Sequence, residues 1–193
     1  MFREGVRCSN CHDPHSLKPK FSGNALCGQC HTPAKYDTPT HHHHPPESKG
    51  AACVECHMPE RTYMEVDPRR DHSIRIPRPD LTKKLGTPNA CQACHTKPDE
   101  NVDWQLAKVR EWYGDKREQK PHFGEILERG RKHDPHALAD LVDLAKLRPT
   151  DTPDQRAAAV GPIVRGSTVA LLANYDPSQA REALEARSRT RNR

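Results

Sequence analysis

The chain has 193 residues, 33% of them hydrophobic and only 9 aromatic (3 Phe, 4 Tyr and 2 Trp), with 8 Cys, 13 His, 18 Pro and a formal net charge of +5. So few apolar residues over this length make a conventional side-chain core hard to build. Glycine has no period of three, which excludes collagen. No window approaches about 18 consecutive apolar residues, which excludes a membrane-spanning helix.

The unusual residues are concentrated at one end. All eight Cys lie between Cys8 and Cys94, and ten of the thirteen His lie between His12 and His95. Twelve of the eighteen Pro lie in the first hundred residues. The remainder has no Cys, three His and a run of Ala, Leu, Glu and Arg. The composition break near residue 100 divides the chain into segments 1–100 and 101–193.

The eight Cys fall into four frames of one pattern. These are Cys8-Ser9-Asn10-Cys11-His12, Cys27-Gly28-Gln29-Cys30-His31, Cys53-Val54-Glu55-Cys56-His57 and Cys91-Gln92-Ala93-Cys94-His95. Secreted disulfides do not need a fixed two-residue gap four times. Two four-Cys zinc sites use the gap but do not need His after the second Cys. With His at 13 of 193 positions, four such His by luck come to roughly 2 in 100,000 against a frame defined only by its Cys pair. The frame is the attachment site of a c-type haem. Two thioether bonds fix the porphyrin edge, and the next residue carries the imidazole that reaches the iron. Cys8, Cys11, Cys27, Cys30, Cys53, Cys56, Cys91 and Cys94 are therefore expected to bind four haems c, with His12, His31, His57 and His95 as iron ligands. Four porphyrins would also replace the missing core, since their apolar faces bury as side chains do.

Iron then needs a second axial ligand or an open face, and that choice separates electron transfer from catalysis. Nine His lie outside the frames, enough for bis-His ligation of every haem. Met is a poor alternative, because Met58 follows a frame His directly and cannot reach round its own ring. His15 follows His12 by three residues, lies on the same side of that ring, and is expected to reach a neighbouring haem. The alternative for His15 is a surface imidazole beside the Asp13-Pro14 turn. His41 to His44 form an internal run before Pro45-Pro46, expected to give at least one ligand. The choice among the four is open, with His42 and His44 taken as candidates. His72 is expected to ligate as well, its ring oriented by Asp71 or a backbone carbonyl. His122 is held in reserve, and His133 and His136 read as helix-surface residues.

These residues resemble a known group. Gly5-Val6-Arg7-Cys8 to Pro14-His15, Asn24-Ala25-Leu26-Cys27, Cys56-His57-Met58-Pro59, residues 67–79 (DPRRDHSIRIPRP) and Gly86-Thr87-Pro88-Asn89-Ala90-Cys91 look like multihaem c-type cytochromes of the cytochrome c554 and nitrite reductase-like superfamily. They look most like bacterial members carrying C-terminal helical repeats. The resemblance covers about half the chain. It implies His15, one of His41 to His44, and His72 as distal ligands. Such proteins carry further upstream frames and a signal peptide. This chain opens at Met1-Phe2-Arg3-Glu4 without a charged segment leading into an apolar one, so it is expected to be a shortened version of a longer protein. The superfamily's lysine-ending frame is absent, which argues against a complete nitrite reductase site.

After Asp99-Glu100 the pattern becomes helical. Val102, Leu106, Val109 and Trp112-Tyr113 share a stripe ended by Gly114. Phe123, Ile126 and Leu127 form a second, ended near Gly130. Ala137, Leu138, Leu141, Leu144, Ala145 and Leu147 form a third, with Asp134-Pro135 as a start signal and Pro at the first helical position. Residues 153–174 break at Gly161-Pro162, and residues 180–186 form a last helix. Short helices with Pro at their starts resemble HEAT- or TPR-type repeats. This segment is expected either to dock a partner or to cap the haem segment.

The expected fold is mostly α with long irregular loops, a haem-cored domain followed by a helical repeat segment. Four haems add about −8 from propionates, offset by about +4 in the ferric state. Arg61, Arg69, Arg70, Arg75 and Arg78 are therefore expected to pair with propionates, and a nucleic-acid role is rejected. The leading function is electron transfer among redox partner proteins, in a periplasmic or other extracytoplasmic location. The alternative is a subunit of a multihaem oxidoreductase with one open haem.

Overall fold

The computed structural model describes residues 5–119, 122–146 and 162–181. It is mostly α-helical with long loops, as expected, and the described residues also form a small two-stranded sheet. In chain order the helices are α1 (Cys8–Cys11), α2 (Ala25–Gly28), α3 (Pro33–Tyr36), α4 (Pro39–His42), α5 (Cys53–His57) and α6 (Pro79–Leu85), then α7 (Val102–Tyr113), α8 (Phe123–Arg131), α9 (Ala137–Lys146) and α10 (Pro162–Leu172). Short 3-10 turns cover Lys49–Ala51 and Ala90–Ala93. The strands β1 (Glu60–Tyr63) and β2 (Asp67–Arg70) form an antiparallel hairpin in which Glu60 faces Arg70.

The chain divides into two compact units, Met1–Trp112 and Tyr113–Arg193. This division falls at the last residue of α7, whereas the composition changes near residue 100. The cause is what α7 touches. Asn89, next to the fourth Cys pair, donates to Thr82 Oγ1 at 2.8 Å on α6 and to Gln105 Oε1 at 3.2 Å on α7. The helix is therefore pinned to the cysteine-rich unit by its own first turns. It ends at Gly114, whose φ of +71° is the left-handed conformation that closes helices.

The first unit has little apolar core. Among its described residues the buried hydrophobics are Ala51, Leu81 and Leu106, while Leu17, Phe21, Tyr63, Met64 and Val66 lie exposed. Polar bridges hold it instead. Arg70, at the end of β2, reaches back to Glu55 on α5 at 2.5 Å. The start of α6 is fixed by a two-pronged contact from Arg78 to Asp80, at 2.7 and 2.6 Å. These arginines pair with carboxylates of the chain itself, as does Arg69 with Asp67 at 2.6 Å, so propionates are not their only possible partners.

The second unit is built conventionally. Leu127, Ala137 and Leu141 are buried together, with Phe123, Ile126, Leu171, Leu172 and Tyr175 packed around them. Gly130 permits the close approach of α8 and α9, because a Cβ there would lie 3.0 Å from a Leu141 methyl. The Tyr175 hydroxyl donates to the Asp134 carbonyl at 2.8 Å and ties the end of α10 to the α8–α9 turn. The stripes expected at Phe123 and Ala137 are α8 and α9, and Pro162 opens α10. Pro135 does not occupy a first helical position. Helix α9 starts two residues later, and Asp134 closes the intervening turn by accepting from the His136 N–H at 2.9 Å. Residues 147–161 and 182–193, which include most of the last expected helix, lie outside the described residues.

Asp80 is buried, with 4% exposure. Burial would raise its carboxyl, but the Arg78 guanidinium outweighs this and holds it below the ordinary value. A depressed acid contributes stability above its unfolded pKa of about 3.9 and loses it as pH falls through the folded value. Arg78→Ala is expected to cost about 3 kcal/mol at neutral pH, because a buried carboxylate is left unpaired. It should also weaken the pH dependence: without Arg78 the Asp80 carboxyl is depressed less, so the variant loses less stability on acidification than the parent does. Urea unfolding at neutral pH and below the unfolded pKa checks both effects.

Candidate functional site

Each of the four frames closes one helical turn. The His12 N–H donates to the Cys8 carbonyl at 2.8 Å, His31 to Cys27 at 3.0 Å and His95 to Cys91 at 2.9 Å, while the third frame is helix α5 itself. Residues at i, i+3 and i+4 share one face of such a turn. Two thiols and one imidazole are therefore brought to the same side four times over. None of the eight cysteines is paired with another, and none is fully buried.

Two asparagines place the frames. The Asn24 carbonyl oxygen accepts from the Cys53 N–H at 2.9 Å. Its amide donates to Asp37 at 2.7 Å and to the Ala51 carbonyl at 3.0 Å. It thus stands just before the second frame and caps the third. Asn89 caps the fourth frame by accepting from the Cys91 N–H at 2.9 Å. The thiols of successive frames meet as a result. Burial, then the neighbouring Cys27 sulfur, pushes the Cys53 thiol up. Burial, with Cys56 and Cys94 adding to it, pushes Cys91 up to about 11. Among the described residues no three or more His, Cys, Asp or Glu side chains converge as a metal site.

The imidazoles are arranged in pairs. His72 faces His12 with ring centres 6.2 Å apart, His41 faces His57 at 6.3 Å, and His44 faces His95 at 6.0 Å. The ring tautomers follow from their hydrogen bonds, because a carbonyl only accepts. His12 Nδ1 donates to the Leu17 carbonyl at 2.8 Å, His57 Nδ1 to Arg75 at 2.9 Å and His72 Nδ1 to Arg70 at 2.8 Å. His44 Nδ1 donates to the His42 carbonyl in the same way. In each of these rings the Nε2 lone pair is left to face outward.

His72 was expected to be oriented by Asp71 or a carbonyl, and the carbonyl of Arg70 does it. Asp71 instead accepts from the Ser73 N–H at 2.8 Å. The β1–β2 hairpin makes this possible by turning the chain back. The Asp71 N–H donates to the Pro59 carbonyl and the Arg75 N–H to the His57 carbonyl, each at 3.1 Å.

Other expected residues lie elsewhere. His15 is exposed, and its N–H donates to Asp13, which also takes the Ser16 N–H and hydroxyl. That is the surface turn offered as its alternative. His42 differs from its neighbours. Its Nδ1 accepts from the His44 N–H at 3.2 Å, which puts its proton on Nε2, and its ring faces no frame imidazole. His43 takes a left-handed conformation with φ +56° and stacks on Trp112 at 4.3 Å. His31 meets the edge of Tyr36 at 5.6 Å rather than a second imidazole. His122 caps α8, its Nδ1 accepting from the Gly124 N–H at 3.1 Å.

Five residues around the frames were not singled out by their motifs. His41 was hidden in its run, because nothing in four identical residues shows which way each points. Asn24 and Asn89 carry a weak signal, each lying shortly before a frame's first Cys. Glu100 lies 3.6 Å from His95 Nδ1, and Trp104 packs on the same ring at 5.0 Å; neither belongs to a motif.

Residues 35–122 match the family model of cytochrome c552, and residues 1–36 match that of the doubled CXXCH motif. No curated protein and no solved structure matches the chain. The frames and the two family matches define a multihaem c-type cytochrome. Its cofactor is haem c and its work is electron transfer. The c552 match runs on through α7, in keeping with that helix's place in the cysteine-rich unit. No described helix is long and apolar enough to cross a membrane.

Asn24→Ala is expected to lower the stability of the holoprotein by about 1–3 kcal/mol, since it strips partners from the Cys53 N–H and the Ala51 carbonyl. Asn24→Asp keeps the acceptor for Cys53 but turns a carboxylate onto Asp37 and the Ala51 carbonyl, both served by the amide donor, so at neutral pH it should not recover the loss. Thermal melts of the two variants against the parent check the difference.

Proposed function

We propose that the chain carries four haems c, one on each frame, and moves electrons among them. Cys8/Cys11, Cys27/Cys30, Cys53/Cys56 and Cys91/Cys94 would form the thioethers. His12, His31, His57 and His95 would bind iron from one side. His72, His41 and His44 would bind the irons of His12, His57 and His95 from the other. Haem iron supplies one-electron ferric–ferrous chemistry, and saturated bis-His ligation favours electron transfer over reaction with a substrate.

The three imidazole pairs carry this reading. Two imidazoles ligating one metal ion from opposite sides, each nitrogen at about 2.0 Å and each ring centre about 1 Å beyond, have centres about 6 Å apart. The observed separations are 6.2, 6.3 and 6.0 Å. The outward Nε2 lone pairs of His12, His57, His72 and His44 support it as well. So does the near absence of an apolar core in the unit that would hold the porphyrins. His42 and His15 lose ground as ligands, the first to its tautomer and the second to its exposed turn.

A second reading has one observation in its favour. Among the described residues His31 is met by Tyr36 and not by another imidazole, so its haem would be the open one. The chain would then belong to a multihaem oxidoreductase acting on small nitrogen or sulfur oxyanions. Haem attachment takes place outside the cytoplasm, so an extracytoplasmic location with redox partner proteins goes with either reading. The helical unit would offer such partners a docking surface.

Intact mass and haem absorbance should give four haems per chain, and fewer than four refutes the proposal. Ferric spectra decide between the readings: low-spin signals alone favour the wire, whereas one high-spin haem that binds carbon monoxide on reduction favours the open site. His72→Met should raise one midpoint potential by on the order of 0.1 V, within the ~0.8 V span that axial ligands command. An unchanged redox titration would remove His72 from the ligand set.

A further inference from the structure

We propose that Glu100 is a positioning residue that lowers the midpoint potential of the iron held at His95, making this centre chemically distinct from those at His12 and His57. The inference rests on the reading of His95 as an iron ligand. At His12 and His57 the ring Nδ1 faces a neutral carbonyl, Leu17 at 2.8 Å and Arg75 at 2.9 Å. At His95 it faces the Glu100 carboxylate at 3.6 Å, in surroundings where the two side chains are only 28% and 18% exposed. That separation is too long for a direct hydrogen bond. It is short for a charge, and sheltered charges are weakly screened.

The redox step is Fe(III) + e⁻ → Fe(II), with the electron supplied by a one-electron donor in solution. It lowers the positive charge at the centre by one. A carboxylate beside the ligating ring stabilises the more positive, ferric side, and it also raises the basicity of the imidazole. Both effects push the potential down. Lys97 works against them, since its ammonium lies 3.4 Å from the same carboxylate, but it is 73% exposed to water and so acts less strongly.

The backbone of Glu100 is held by contacts that do not depend on its charge. Its N–H donates to the Lys97 carbonyl at 3.0 Å, and its own carbonyl accepts from Gln105 at 2.9 Å. Asn101 caps α7 by accepting from the Asp103 and Trp104 N–H groups at 3.0 and 3.1 Å, which holds Trp104 against the His95 ring. Glu100→Gln therefore removes the charge and leaves the loop in place.

The test is a mediated redox titration of the holoprotein. In E100Q one of the midpoints is expected to rise until that haem's ferrous-to-ferric ratio at fixed potential is about tenfold higher, which is about 59 mV for one electron. The other midpoints should stay in place. Glu100→Asp should show a smaller rise, and Lys97→Ala should move the same midpoint downward. If no midpoint moves in E100Q, or if all move together, Glu100 does not tune this centre. Peptide mass mapping separates that failure from failure of the haem reading. A peptide containing Cys91 to His95 without haem mass overturns both.

Discussion

The unit of construction is one hydrogen bond, from the N–H of a frame histidine to the carbonyl of the cysteine four residues before it. It is made at His12, His31 and His95 over 2.8–3.0 Å, and α5 contains the same turn. Without it, two thiols and an imidazole separated by four residues of flexible backbone would have no common direction. With it, three reactive groups are presented together on a turn too short to be stable alone. Such a turn must be held by its surroundings. Asn24 and Asn89 are the visible holders, each capping a frame and tying it to a second element.

The two units answer the same entropic cost by different means. In the second, Leu127, Ala137 and Leu141 exclude water in the ordinary way. In the first, buried apolar side chains are scarce, and the contacts that fix the fold are polar: Arg78 with Asp80, Arg70 with Glu55, and the asparagine caps. Polar contacts contribute little net free energy each. A unit assembled from them has little stability to spare from side-chain packing alone.

The frames were legible because their chemistry depends on spacing, and spacing is what a sequence states. The helices α7, α8 and α9 were legible because Val102, Phe123 and Ala137 begin stripes with helical period. What escaped depended on conformation. His41, His42 and His44 are chemically identical, and their separation follows from the left-handed turn at His43 and from which ring nitrogen holds the proton. The hairpin over Glu60–Arg70 has no alternation to announce it, since every side chain of β1 is exposed. The compact units divide at a different place from the composition, for a related reason. Composition marks where cysteines stop, but Gln105 and Trp104 pack backwards onto the fourth frame.

Four frames of one chemical pattern pose a problem that only their surroundings can solve. Centres with the same covalent attachment and the same axial ligands have similar potentials, and a row of equal potentials gives electrons no preferred direction. Differences must come from what lies beyond the ligands. Here those surroundings already differ. His12 and His57 lean on carbonyls, His95 on a carboxylate, and His31 on the edge of Tyr36. The carbonyl contacts come from loops whose backbone is fixed by turns, so a side-chain substitution there changes little. The carboxylate comes from a side chain, and a single residue can add or remove it. On the proposed ligation, the fourth frame, which lies against α7, would be the place where a single side chain biases the electron path.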